Sequence, residues 1–139
     1  MKMHNKGFTL IELVIALTVL GILAAIGYPS YQNQVAKSRR GDAQAALMGF
    51  ANAMERYYTQ NNTYAGAAVG GGGVFPAEAP VDGSNKYYDL SIPTATVSAY
   101  TLRAVPKNGQ AGDGRLEIDS DGTRRWNSQD NGTGTNTAW

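Results

Sequence analysis

At 139 residues the chain has room for one domain beyond a membrane segment. Twelve Lys and Arg against eleven Asp and Glu leave a net charge of +1, so bulk charge implies no polyanion partner. The absence of cysteine excludes disulfides, thiolate metal sites and cysteine nucleophiles.

The first element is an apolar helix. Phe8 to Tyr28 is 21 residues long. A helix of that length spans roughly 31 Å, the thickness of a hydrocarbon core of about 30 Å. Its one charged residue is Glu12. A carboxylate at mid-membrane costs about 2.5–3.5 kcal/mol, less near an interface, and such residues usually mark function. Three readings compete for the segment: a signal anchor with a tolerated charge, a secretory signal peptide, or a short basic leader ending at Gly7. The apolar run is long for a signal peptide, and Tyr28-Pro29-Ser30-Tyr31 is a poor small-residue cleavage site. Lys2 and Lys6 keep the N-terminal flank cytoplasmic, so the bulk of the chain faces outward. Lys37, Arg39 and Arg40 argue mildly the other way but lie farther from the span.

Lys6-Gly7-Phe8-Thr9-Leu10-Ile11-Glu12-Leu13 resembles the prepilin signature of the type IV (type IVa) pilin family, and every position matches. The resemblance implies that a leader, residues 1–7, is removed by a prepilin peptidase between Gly7 and Phe8. It further implies that Phe8 is N-methylated and that Glu12 is kept for assembly. The one histidine, His4, would leave with the leader, so no Ser-His-Asp or Cys-His set can be drawn in the mature chain. No catalytic residue, cofactor or metal is expected, and the chain is read as a non-enzyme. Cleavage would place an α-amino group on Phe8, for which Glu12 is the natural counter-ion. The pair can form within one chain, because i and i+4 share a helix face, or between subunits, as the family implies. An unpaired charge in an apolar filament core is strongly disfavoured. Both arrangements stay open.

Residues 8–30 are thus a transmembrane or filament-core helix, interrupted by Gly21, Gly27 and Pro29. Pro29 removes a backbone hydrogen bond and should kink or loosen the helix. In the family, the Gly and Pro at these places bound a stretch that can lose helicity, so Gly21 and Pro29 are expected to give the filament extensibility. The rest, 31–139, is read as a globular pilin domain. Its first part, 31–60, is an amphipathic helix in which Ala43, Leu47, Phe50, Met54 and Tyr57/Tyr58 form one apolar stripe. Ala45, Ala46, Ala51 and Ala53 are read as keeping the other faces thin. Asp42 to Leu47, Met54 to Tyr58 and Asn62-Thr63-Tyr64-Ala65 resemble the PilE-type minor pilins.

Residues 61–86, with Gly70 to Gly73, Pro76, Pro80 and Asp82-Gly83, read as a loop. A phosphate cradle there would need a preceding strand and a following helix with Lys. Alternation then predicts strands at Tyr87–Ile92, Ser98–Val105 and Arg115–Asp119, with Asp121-Gly122 turning into Thr123–Trp126. The expected sheet, 87–126, is antiparallel with three or four strands laid on the amphipathic helix. Residues 127–139 read as an irregular tail whose Trp139 packs back on the sheet. The fold class is therefore α+β, the type IV pilin fold. Many pilins close a late loop with a disulfide; here packing and hydrogen bonds must do so.

Asp119-x-Asp121-Gly122 matches a fragment of a calcium loop, but the further ligands and distal Glu are missing. Calcium sites in related pseudopilins keep it as an alternative. Arg124 and Arg125 beside Trp126, with Arg103 and Lys107, could instead form a DNA-contacting surface, as in some pilins; a solvated charged face competes with that reading. The function expected is that of a structural, minor subunit of a type IV pilus, serving adhesion, twitching motility or DNA uptake. Alternatives are a type II secretion pseudopilin and a DNA-binding competence pilin. The expected partners are other pilin subunits, the prepilin peptidase, the inner-membrane assembly platform, membrane lipid before assembly, and possible DNA. The resemblance implies residence in the bacterial inner membrane, N-terminus cytoplasmic and domain periplasmic, and then on the cell-surface pilus.

Overall fold

The computed structural model describes residues 7–139, so the expectations attached to Met1 to Lys6 lie outside the described residues. A helix, α1 (Leu10–Asn61), is followed by six strands: β1 (Glu78–Ala79), β2 (Tyr88–Ala95), β3 (Tyr100–Pro106), β4 (Arg115–Asp119), β5 (Arg124–Asn127) and β6 (Asn136–Thr137). The chain divides into two compact units at Val35/Ala36.

In the first unit the chain stays helical on both sides of Pro29. None of its most apolar stretch is buried, and a window of mean hydropathy 2.5 makes α1 long and apolar enough to cross a membrane. From Phe8 to Tyr31 the large apolar side chains are 46–82% exposed. Each would gain roughly 1.5–3 kcal/mol on full burial, so this surface calls for lipid or neighbouring subunits.

The second unit is an antiparallel meander in which every strand pairs with the next, β1-β2-β3-β4-β5-β6. The stripe on α1 packs as its spacing predicts: Ala43, Leu47, Phe50 and Met54 are buried against Leu90, Leu102, Ala104, Leu116 and Ile118. Two points of that helix differ from expectation. Ala46 and Ala53 are buried too, because a stripe wide enough to cover a sheet takes more than one residue per turn. Tyr58 is exposed while Tyr57 is half-buried with its hydroxyl donating to Ala65 O at 3.3 Å, so the stripe ends at Met54. Asn62 stops the helix with φ +54°, a left-handed geometry that Asn tolerates.

The sheet also extends beyond 87–126. β1 lies inside the expected loop 61–86, which further holds a Val69–Phe75 bridge, and β6 lies inside the expected tail. Two-residue strands carry no alternation that a pattern could reveal; their partners make them. The Asp121-Gly122 turn forms as expected, with Gly122 at φ +85° donating to Asp119 O at 2.9 Å. Trp139 does pack back, its indole N–H donating to Arg125 O at 2.9 Å. Arg40 anchors the helix to the loop before β4: its Nε meets Asp113 Oδ2 at 2.8 Å, and its guanidinium covers the Trp126 ring. The Tyr88 hydroxyl joins the same carboxylate at 3.0 Å. Burial pushes the Tyr88 and Tyr100 phenols well above their usual range, so both remain donors.

Candidate functional site

At the start of α1, Thr9 and Glu12 form a reciprocal cap. Glu12 Oε2 accepts the Thr9 backbone N–H at 2.9 Å and its hydroxyl at 2.7 Å, while Thr9 Oγ1 accepts the Glu12 N–H at 3.3 Å. This is the Thr-x-x-Glu capping box. Its Thr9-x-x-Glu12 spacing is plain in the sequence. Oε1 of Glu12 has no hydrogen-bond partner among the described residues. One oxygen thus holds the helix start. Gly7 and Phe8 precede the helix as exposed, non-helical chain.

The arginines named from the sequence do not act together. Strand side chains alternate, so Arg124 and Arg125 fall on opposite faces of β5. Arg124 is exposed, its guanidinium 5.4 Å from the Trp139 ring. Arg125 lies on the outer face, bonded to Asp119 and 3.5 Å from Glu117. There Arg103 at 2.7 Å and Arg115 at 3.2 Å also reach Glu117. The outer face is thus a charge network closed on itself. Lys107 pairs with Glu78 and, at 2.6 Å, with Asp89.

The candidate calcium carboxylates are likewise engaged. Asp119 bonds Arg125 and, at 2.8 Å, Thr101, and the Arg125 hydrogen bond holds it below the usual carboxylate range. Asp121 accepts Thr123 N–H at 2.8 Å. Among the described residues no group of three or more His, Cys, Asp or Glu could hold a metal.

Comparison with known proteins decides the family. The family described as "Type IV minor pilin ComP, DNA uptake sequence receptor" matches residues 29–116, and the prokaryotic N-terminal methylation motif matches residues 2–28. This chain is a type IV pilin. It is 33% identical to the fimbrial protein EcpC of Eikenella corrodens, over 78% of this chain and 67% of that one. It is 31% identical to the type IV major pilin protein PilE1 of Neisseria gonorrhoeae, over 96% of this chain and 68% of the relative. The fold resembles the Neisseria meningitidis non-core minor pilin PilV, with TM-score 0.51, 18% identity and coverage of 76% of this chain and 90% of that one. The protein is a structural subunit that assembles with other pilin subunits into a filament, anchored by its apolar helix before it reaches the pilus surface.

This pilin closes its last loop without cysteine, and the device was not visible in the sequence. Asn127, only 3% exposed, donates from Nδ2 to Gly132 O, Gly134 O and Asn136 Oδ1 at 3.2, 2.8 and 2.8 Å. Its Oδ1 accepts the N–H groups of Gln129 and Gly134, both at 3.0 Å. Asp130 then fastens the loop to the segment before β4, accepting Gly112 N–H at 2.7 Å and Gly114 N–H at 2.9 Å. Gly114 has φ +91°, and a Cβ there would stand 2.1 Å from Asn127 O. Gly114→Ala is therefore expected to destabilise the pilin by about 2–3 kcal/mol. Thermal unfolding checks this; an unchanged midpoint would mean that the strands tolerate the intrusion.

Proposed function

We propose that this pilin is a minor subunit of the type IV pilus, matured by removal of residues 1–7 between Gly7 and Phe8 and by N-methylation of Phe8. It would enter the inner membrane with its N-terminus cytoplasmic and its domain periplasmic, be processed by the prepilin peptidase, and pass through the assembly platform into the filament. The observation that carries this is a lone carboxylate, with one oxygen free, at the head of a wholly exposed apolar helix. In a filament core that oxygen would accept the α-ammonium of a neighbouring Phe8 and so set the axial register. Gly21 and Pro29 would let the helix core extend. A minor rather than major role is supported by the family description over residues 29–116.

The test is the intact mass of the protein in sheared filaments and in membranes. A filament species beginning at Phe8 and one methyl group heavier is expected. A processed species confined to membranes would favour a pseudopilin, and a chain retaining residues 1–7 as its sole mature form would sink the proposal.

A second function, reception of DNA, is supported by the same family description. Of the two arginines singled out in the sequence, Arg124 is the candidate contact, since Arg125 is committed to carboxylates. The test is retention of duplex DNA by the purified mature pilin.

A further inference from the structure

Between Ala36 and Trp139 ten Lys and Arg face ten Asp and Glu, so the domain has no net field to hold DNA. If it receives DNA, the contact has to be local, at a place where donors converge. The outer sheet face is unsuited, because its arginines are already closed on Glu117 and Asp119.

One place fits. Beside β1 and β2 lies an open groove of about 530 Å³, lined by Ser84, Asn85, Lys86, Tyr87, Lys107, Asn108 and Glu78. Resting on the DNA-receptor reading, we propose that this groove seats a phosphodiester of bound duplex DNA, held by Lys86 with Ser84 and Asn85 as further donors. Lys86 differs from the paired cations. Its ammonium is fixed by two carbonyls, Pro80 O at 2.7 Å and Val81 O at 3.0 Å, and has no salt-bridge carboxylate among the described residues. It is therefore aimed without being paired to a carboxylate among the described residues, with a third N–H unspent by those carbonyls. Lys107 is held between Glu78 and Asp89. Glu78 and Asp89 together offset Lys107, so the cation that the groove presents to a phosphodiester is Lys86.

The groove is also pre-formed. Asn108, at φ +53°, donates to Lys86 O at 2.8 Å, and Lys107 N–H reaches Tyr87 O at 2.8 Å, tying its two walls together. Arg39 lies 3.9 Å from the centre of the Tyr87 ring and donates to Gly109 O at 3.1 Å, which adds a cation behind that wall. Ser84 and Asn85 are exposed, and their side chains make no hydrogen bond among the described residues. Lys86, held by two carbonyls and by the Asn108 tie, loses little entropy on binding.

The experiment measures binding of a fluorescent duplex to full-length mature pilin in detergent across a salt series. Three variants are compared with wild type: Lys86→Gln, Asn85→Asp and, at an exposed helix position outside the groove, Arg56→Gln. Asn85→Asp adds a negative charge to the groove without removing any hydrogen bond, so it leaves folding intact and isolates the electrostatics. Lys86→Gln is expected to weaken binding about tenfold and to lower the salt slope by about one. Asn85→Asp should weaken it at least as much, while Arg56→Gln stays within about twofold. Wild-type binding with both groove variants unchanged would overturn the groove and leave the receptor reading standing. Absence of any wild-type binding would overturn both.

Discussion

Glu12→Ala is expected to leave the pilin at wild-type level in membranes and to lower its share of sheared filaments at least about tenfold. Insertion survives because the substitution removes the only charge in an otherwise apolar span. Incorporation fails because, in the proposed filament, a neighbour's α-ammonium would lose its partner in an apolar core. The capping box complicates this, since Glu12 also holds the helix start through Thr9. Losing such a cap costs about 1 kcal/mol, and that alone could impair assembly. Glu12→Gln separates the two. Glutamine also serves in a capping box but carries no charge. If pairing governs assembly, Glu12→Gln fails as Glu12→Ala does; if the cap governs it, Glu12→Gln restores incorporation. Normal incorporation of both variants would remove Glu12 from assembly altogether. Quantitative blotting of filament and membrane fractions reads all three outcomes.

The largest effect on the folded domain is expected from Asn127→Ala. It strips three acceptors and two donors of their partner at a site that water scarcely reaches. A buried polar group left unpaired costs about 1–3 kcal/mol. Partial rehydration of a loosened loop lowers the sum, so a loss of about 3 kcal/mol is expected, and a fall in Tm of about 10–20 °C. Asn127→Asp tests the geometry more sharply. It keeps the shape and the acceptor but turns the donor amide into an oxygen facing Gly132 O, Gly134 O and Asn136 Oδ1. It should be no more stable than the alanine variant at neutral pH. Near-UV circular dichroism of Trp126 and Trp139 during thermal unfolding reads both. A midpoint within about 2 °C of wild type for either would show that the loop is held elsewhere.

The parts legible in the sequence share a physical character. The apolar span, the stripe Ala43, Leu47, Phe50 and Met54, and the Asp121-Gly122 turn are patterns among near neighbours. Helix and hairpin geometry turns such spacing directly into structure. β1 and β6 escaped because a two-residue strand has no period, and exists only where Tyr88, Asp89, Trp126 and Asn127 offer partners. Arg124 and Arg125, adjacent in the chain, were grouped by proximity, although a strand sends them to opposite faces.

The sequence by itself determined the family signature at Gly7, Phe8 and Glu12, the membrane-length helix and the apolar face that seats the sheet. These follow from composition and from periods of two to four residues. Only the tertiary structure decided which cations remain available and how a cysteine-free loop is closed. Glu117 meets arginines from β3, β4 and β5, and Asn127 satisfies backbone groups of a loop that has no repeating pattern. Charge pairing and buried polar satisfaction depend on which distant groups the packed sheet brings within about 3 Å. No local pattern encodes that distance.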